Sequence, residues 1–571
     1  MLIKTKLDFL TSIIGKTARL PYLAKQVSIN PDDLEQILEW LEEERIVELY
    51  YVPIPFVKPS VKVLFAPPTQ EERLPPKSRI IEEYDTASSD GTYQARVYIY
   101  KDKEGDMSYY LDYPMPGPIT ASFLRKLKDE IALFLPPETY MMTEEERRKK
   151  IYEKQLNMAR NKLSKIVDKK EDADVLAGII RSEMYGIGKL EYFLIDPKLE
   201  EVVINSANKP IVVYHREYGW LKTNILFPTE ADVSNLAVRI ARRVGKQITT
   251  LSPLLDAHLI NGERTNATLY PISVSGNTLT IRKFSEEPYT LPFLIKNGTL
   301  TADMASLLWQ AEELEMNVLV VGGTASGKTT MLNALLMLSN PFQRVITIED
   351  TRELNLPTSF ENWVPMVTRS PNPEGLGEVS LLDLMVNSLR MRPDRIIVGE
   401  VRRKEEAIVM FEAMHTGHSV YSTFHADTAY IALKRLQEEP IGIPIQEMDI
   451  LDLIVTQRRN RKTGTRRTFE IAQIMLKETG ANVDRVYSHR ARMDTFDFHG
   501  LPIKYREKVS LYTGMTQKEL NEDLEDRVKV LKYLIKHRMT SMESMEEFVR
   551  AYYKDRDDII STIREGKRLR L

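Results

Sequence analysis

Apolar residues recur along this chain at two spacings, every three to four residues or every second one, and the alternation between them outlines its elements. In the first 66 residues the spacing predicts helices near Leu7–Ile14 and Leu20–Val27. A third helix opens with Asn30 as N-cap, Pro31 at the first helical position and Asp32 and Asp33 in the first turn, and runs to about Arg45. Ile46–Val52 and Ser60–Ala66 then read as strands, so the unit has the makeup of a winged helix. Pro67 to Ser89, with two Pro-Pro pairs and many charges, reads as a linker. Tyr93–Tyr100 and Met107–Tyr113 alternate around Lys-Glu-Gly-Asp and predict a hairpin, followed by a helix near Ala121–Phe134. Thr143 to Lys170, opening Thr-Glu-Glu-Glu, predicts one long charged helix whose sparse apolar positions suit a solvated connector.

Beyond it, Val175–Tyr185 and Glu230–Val244 read as helices, Glu201–Leu226 as a series of short strands and Asn266–Phe284 as an alternating stretch. From there the pattern changes to short, continuous apolar runs, at Val318–Val321, Arg344–Ile348, Arg395–Val398 and Val420–Thr423, which suit strands of a buried parallel sheet. Gln517–His537 and Met542–Ile563 read as amphipathic helices packed on that core. The expected division is a docking unit (1–66), a linker with hairpin and charged helices (67–170), an α+β domain (171–290) and an α/β domain with a helical extension (297–571).

Between the strand Val318–Val321 and a helix at Thr330–Leu338 stands Gly322-Gly323-Thr324-Ala325-Ser326-Gly327-Lys328-Thr329, the pattern G-x-x-x-x-G-K-[ST]. Glycines let the backbone wrap phosphate oxygens, so that N–H groups and the helix N-terminus face negative charge. Lys328 would reach the β- and γ-phosphates and the Thr329 hydroxyl would hold Mg²⁺. The chain is therefore expected to bind a nucleoside triphosphate. Two of the later strand-like runs end in acids, Glu349-Asp350 and Gly399-Glu400. At the carboxyl ends of parallel strands, two acids suit the activation of water and the support of a metal's water shell. His415, His418 and His425, of the chain's eight histidines, follow closely. Their spacing fits no zinc site and favours hydrogen bonding near the γ-phosphate.

Composition narrows the setting. There is no cysteine, hence no disulfide and no thiolate metal site, and a formal net charge of −3 gives no global attraction for nucleic acid. The N-terminus carries charges where a signal peptide needs an apolar stretch, and no apolar run reaches membrane-spanning length. The third helix of the first unit sets seven acids, Asp32, Asp33, Glu35, Glu39, Glu42, Glu43 and Glu44, against Arg45 alone. Such a helix would repel phosphates, so no direct DNA binding is expected, and protein docking or a merely solvated face remain. Arg458-Arg459-Asn460-Arg461-Lys462 with Arg466-Arg467 reads as a basic hairpin turn, either a solvated rim or a contact for acidic loops or lipid headgroups.

Four boxes in order carry a resemblance. Gly-Gly-Thr-Ala-Ser-Gly-Lys-Thr, Ile-Glu-Asp-Thr-Arg-Glu-Leu, Arg-Pro-Asp-Arg-Ile-Ile-Val-Gly-Glu-Val-Arg and Thr-Gly-His-Ser-Val-Tyr-Ser-Thr-Phe-His resemble the Walker A, Asp, Walker B and His boxes of the type II/type IV secretion traffic ATPases. The likeness covers roughly residues 170 to 460. Its Asp box, without the Glu-Asp-Pro form, is closer to archaeal pilus and archaellum ATPases and to the conjugation-type branch. The resemblance implies an α/β fold with a RecA-like P-loop motor domain, a mixed α+β N-terminal domain joined to it near Tyr289–Asn297, and the winged-helix-like unit ahead of both. It also implies a homohexameric, cytoplasmic ATPase using ATP and Mg²⁺, attached to the membrane through a polytopic platform protein and serving a prepilin-like filament system. By position, Gly322 to Thr330 bind the nucleotide and Thr329 and Glu400 serve the metal. Glu349, or Glu353 in the same box, is the general base. Arg264 and Arg282 are the arginines that the N-terminal domain presents to the γ-phosphate, and His418 and His425 belong to the His box.

Overall fold

The computed structural model describes residues 2–54, 57–65, 75–88, 93–133, 144–259, 262–283, 288–369, 371, 375–460, 462–477 and 480–569. The Pro-rich start of the expected linker, Thr143, Asn261, Phe284 and Arg461 lie outside them. The chain divides into two compact units, Met1–Lys283 and Phe284–Leu571.

The first unit begins as the spacing predicts. A 3₁₀ helix covers Lys6–Ile13, α-helices cover Leu20–Val27 and Pro31–Glu43, and the Asn30 side chain caps the latter by accepting the Asp32 N–H. Strands Thr17–Arg19, Ser60–Val63 and Val47–Tyr50 form a small antiparallel sheet in that order. This group has no core of its own. Leu7, Leu10, Leu38 and Leu41 share one apolar cluster with Ile119, Phe123 and Leu127 of a helix at Pro118–Leu133 and with Leu163 and Leu176 beyond it. The join is also polar. The buried Asp8 carboxylate accepts the N–H groups of Ile119 (3.0 Å) and Thr120 (3.3 Å), capping a helix more than a hundred residues away. A Cβ on Gly117 would lie 2.3 Å from that carboxylate, so only glycine fits there. The helix expected up to Lys170 ends at Leu163, and the one expected at Val175–Tyr185 begins earlier, at Lys170; the two, Glu144–Leu163 and Lys170–Tyr185, pack as a pair in this cluster.

The acids of the third helix are consumed within the chain. Lys58 bridges Asp32 (2.5 Å) and Glu35 (2.6 Å), Lys126 reaches Glu43 (2.7 Å), and Lys165 reaches Asp33 (2.8 Å). Glu42 accepts the Leu49 N–H.

The hairpin Gln94–Lys101/Met107–Asp112 does not stand apart. With Ile80–Ala87 it extends the sheet of the α+β region, giving nine strands in the order 254–258, 264–268, 278–282, 199–204, 210–215, 219–226, 107–112, 94–101, 80–87. The helix Glu230–Arg243 lays Val233, Leu236, Ala237 and Ile240 on this sheet.

The second unit is built on another nine-stranded sheet, in the order 363–367, 345–349, 395–398, 419–424, 318–322, 453–459, 466–477, 480–490, 495–498. The first six strands are parallel and the last three add on antiparallel. Residues alternate between two cores. Val318, Val320, Val345 and Tyr421 face helices Ala302–Glu313, Lys328–Leu336 and the C-terminal helices. Leu319, Val321, Ile346 and Val398 face helices Leu381–Ser388, Lys404–His415 and Ala429–Gln437. Burial on both faces explains the continuous apolar runs, and the architecture is the expected RecA-like α/β type. After the last strand come a helix at Ile503–Thr513, which was not expected, then Gln517–Lys536, and in place of the single helix expected at 542–563 two, Met542–Lys554 and Arg556–Arg564, separated at Asp555, whose side chain accepts the Asp558 N–H.

Candidate nucleotide-binding site

In a parallel sheet, groups that follow the strands gather at the carboxyl edge. The phosphate loop leaves the strand Val318–Gly322. Beside it His425 follows Ser419–Phe424, one strand further Gly399-Glu400 follows Arg395–Val398, and one further still Glu349 ends Val345–Glu349.

The loop is shaped as an anion cradle. Gly327 has φ +94° and Ala325, a non-glycine residue, φ +58°, so successive N–H groups turn inward. A Cβ on Gly322 would fall 2.4 Å from both the Gln457 carbonyl and Ser326 Oγ, so the strand next door closes directly on the loop. The helix Lys328–Leu336 begins at Gly327 with no side-chain cap, leaving its first amides for a ligand. Ser326 Oγ is buried without a hydrogen-bond partner. An uncapped helix start and an orphaned hydroxyl in a left-handed loop fit a nucleotide's phosphates, and the Thr329 hydroxyl with a nearby carboxylate is an oxygen donor set suited to Mg²⁺.

Lys328 Nζ donates to the Gly323 carbonyl (3.3 Å) and lies 3.5 Å from His425 Nε2. Burial pulls its ammonium below the usual lysine range, against the attraction of Glu400 and Glu353. Glu400 is held on both oxygens, with His425 Nε2 at 3.0 Å from Oε1 and the Arg402 guanidinium at 2.5 Å from Oε2. Arg402 reaches Asp350 as well (2.9 Å), tying the ends of two strands together. Burial first, and the Lys328 charge second, hold the His425 imidazole below its ordinary value.

Glu349 is 2% exposed. Its Oε1 accepts the N–H groups of Glu353 (2.9 Å) and Leu354 (3.0 Å), which folds the following loop back on the strand end, while Oε2 is buried without a hydrogen-bond partner. Burial pushes this carboxyl up to about 8, and the two backbone donors offset only part of that. Glu353 itself is exposed.

Together, a phosphate cradle, a buried lysine and acids on two neighbouring strand ends can bind a polyphosphate and act on water beside it. A model of the family described as type II/IV secretion system protein matches residues 189–550. The chain belongs to this family. An uncharacterised protein of Methanocaldococcus jannaschii is 34% identical over 67% of this chain and 70% of its own length. A putative conjugal transfer protein of Mycobacterium tuberculosis is 32% identical over 43% of this chain and 71% of its own. Among solved structures, the VirB11 ATPase of the Brucella suis type IV secretion system, in complex with sulphate, matches at 27% identity, covering 50% of this chain and 92% of that one, with a TM-score of 0.26.

In this secretion-system protein the expected site residues fall into three places. Lys328, Thr329, Glu349, Glu400 and His425 share the carboxyl edge of the second unit. His418 does not join them: it precedes the strand that His425 follows, and its Nδ1 sits 3.0 Å from Thr416 Oγ1 at the end of a helix. The two histidines stand seven positions apart along an extended strand, about 23 Å, so the pair read together in sequence marks opposite edges of the sheet. Arg264 and Arg282 belong to the first unit, directly opposite each other on neighbouring strands. Arg264 pairs with Asp256 (2.8 Å). Sequence reasoning missed the parts played by Arg402, Asp350 and Gln457. For Asp350 the available signal was its place next to Glu349, and for Arg402 its place two residues after Glu400.

Proposed function

We propose that this chain is a Mg²⁺-dependent ATPase that works as a homohexamer at the cytoplasmic membrane, where it powers assembly of a type IV pilus-like filament or type II-like secretion. The observation that carries the reading is the uncapped, left-handed phosphate loop standing beside two strand-end acids, Glu349 and Glu400. Lys328 cancels charge that builds on the phosphates during transfer, and the Thr329 hydroxyl with Glu400 holds the metal. Bound Mg²⁺ would neutralise the β- and γ-phosphate oxygens. Glu349 accepts the proton of the attacking water once its carboxyl has ionised. Glu400 would serve the metal only by giving up its contacts with Arg402 and His425, so nucleotide binding would loosen that clasp. Arg264 and Arg282 are proposed to act on the γ-phosphate. The ring docks on a polytopic membrane platform. Among the described residues no helix is long and apolar enough to cross a membrane, in keeping with docking through partners.

The test is turnover by the purified full chain. ATP hydrolysis should require Mg²⁺ and disappear in Lys328→Ala; wild-type-like turnover in that variant would refute the site. A conjugation-type nucleic-acid motor is the second reading, favoured by the conjugal-transfer relative. It requires hydrolysis stimulated by DNA.

A further inference from the structure

The basic hairpin lies against the phosphate loop. Its first strand, Leu453–Arg459, pairs with the phosphate-loop strand so that Gln457 is level with Gly322, and the turn extends past the carboxyl edge. The turn is built, not loose. Asn460 Oδ1 accepts the Lys462 and Thr463 N–H groups, and the Asn460 N–H and the Thr465 carbonyl close it at 2.8 Å. Two rungs of this ladder set arginine against arginine, Arg458 opposite Arg467 and Arg459 opposite Arg466. Like charges directly opposite on a ladder repel. Arg467 is compensated by Asp494 (2.8 Å) and Arg458 lies over the Phe469 ring. Arg466 has no carboxylate within ion-pair distance among the described residues. Its Nε donates to the Ala325 carbonyl (3.2 Å), and its Cδ lies 3.5 Å from where a Cβ on Gly327 would stand.

We propose that Arg466 is a nucleotide-binding residue: its guanidinium braces the phosphate loop through the Ala325 carbonyl and moves onto the phosphate oxygens of a bound nucleoside di- or triphosphate. The inference rests on the ATPase reading above and adds a cation from the same unit to Lys328. A guanidinium already seated over the loop, exposed and, among the described residues, free of any carboxylate, exchanges a neutral carbonyl for a charged oxygen, the stronger acceptor. The anion also relieves the like-charge rung.

The test is equilibrium titration of the full-length protein with a fluorescent ADP and with ATP in Mg²⁺, comparing wild type, Arg466→Ala, Arg466→Lys and, as a control at the hairpin tip, Lys462→Ala. Arg466→Ala should weaken both nucleotides about tenfold, with a shallower salt dependence, while nucleotide-free Tm stays near wild type. Arg466→Lys should recover part of the affinity, and Lys462→Ala should match wild type. Unchanged affinity in Arg466→Ala, or a loss equalled by Lys462→Ala, overturns the proposal. So does a fall in nucleotide-free Tm that accounts for the whole loss, since Arg466 would then only brace the loop. Failure of wild-type protein to bind either nucleotide would instead remove the ATPase reading itself.

Discussion

A carboxyl group that holds its proton near neutrality changes stability with pH in a direction that can be worked out. Glu349 has its value raised from an ordinary 4.5 to about 8. Between those limits the folded chain keeps a proton that the unfolded chain has released, so stability is fullest below about 4.5 and falls as pH rises toward 8. The slope from this one group is at most about 1.4 kcal/mol per pH unit. Glu349→Gln keeps the Oε1 acceptor for the Glu353 and Leu354 amides and removes the ionisation. The nucleotide-free variant should therefore match wild type near pH 5 and exceed it in denaturant midpoint near pH 8, while losing ATP turnover. Parallel curves for the two proteins across that range would show that Glu349 does not carry the buried proton. The same residue links stability to chemistry: kcat/KM should climb with pH through about 8 as the carboxylate forms.

Elements hold the site in place through contacts at the far edge of the sheet. The strand Arg395–Val398, which delivers Gly399-Glu400, is anchored at its start by Arg395, 1% exposed, whose guanidinium pairs with the fully buried Glu312 of the helix Ala302–Glu313 (3.0 Å). Arg395 also donates to Ser419 Oγ and the Glu312 carbonyl, so one side chain joins two strands and a helix. Burial raises the Glu312 carboxyl and the Arg395 charge opposes it. Removing one partner strands the other charge in the core, and Arg395→Met should cost about 3–5 kcal/mol in urea unfolding. The double variant Arg395→Met/Glu312→Leu should regain much of that loss. A double variant no better than the single one would show that hydrogen bonds to Ser419 and the backbone, not charge, dominate. A similar buried network, Arg527 between Asp523 (2.8 Å) and Glu313 (2.7 Å), fastens the helix Gln517–Lys536 to the helix Ala302–Glu313.

At the scale of the molecule, the winged-helix-like group is an integral part of the first unit. Leu7, Leu10, Leu38 and Leu41 lie in the cluster that holds Ile119, Phe123 and Leu176, and each fully buried leucine is worth about 1.5–3 kcal/mol. Residues 1–66 alone would expose that surface and lose the Asp8 cap on the helix Pro118–Leu133. The fragment 1–66 should show no cooperative thermal transition by circular dichroism, whereas 1–283 should unfold cooperatively. A sharp transition in 1–66 would make it an autonomous docking module. Its acidic helix, paired with Lys58, Lys126 and Lys165, offers a partner far less free charge than seven carboxylates suggest.

Local signals were legible in the sequence because they operate within a few residues. The Asn30 cap ahead of Pro31, the strand-loop-helix around Gly322–Thr329 and the acids closing short apolar runs each depend on backbone geometry inside one turn or strand. The chain alone therefore determined the α/β core, the phosphate cradle and the acids Glu349 and Glu400. Strand order and long-range pairing decided the rest. Whether His418 or His425 meets Lys328 depends on which end of a strand faces the loop, and the two differ by only seven positions in the chain. The basic hairpin became a neighbour of the phosphate loop because the strand Leu453–Arg459 inserts beside Val318–Gly322, a contact between segments more than a hundred residues apart. The charges on the third helix looked free because their partners are distant in sequence, Lys126 on the helix Pro118–Leu133 and Lys165 in the turn after Leu163. Such contacts form only when the shared core closes long loops, and their information is spread over the whole chain, not held in a window of it.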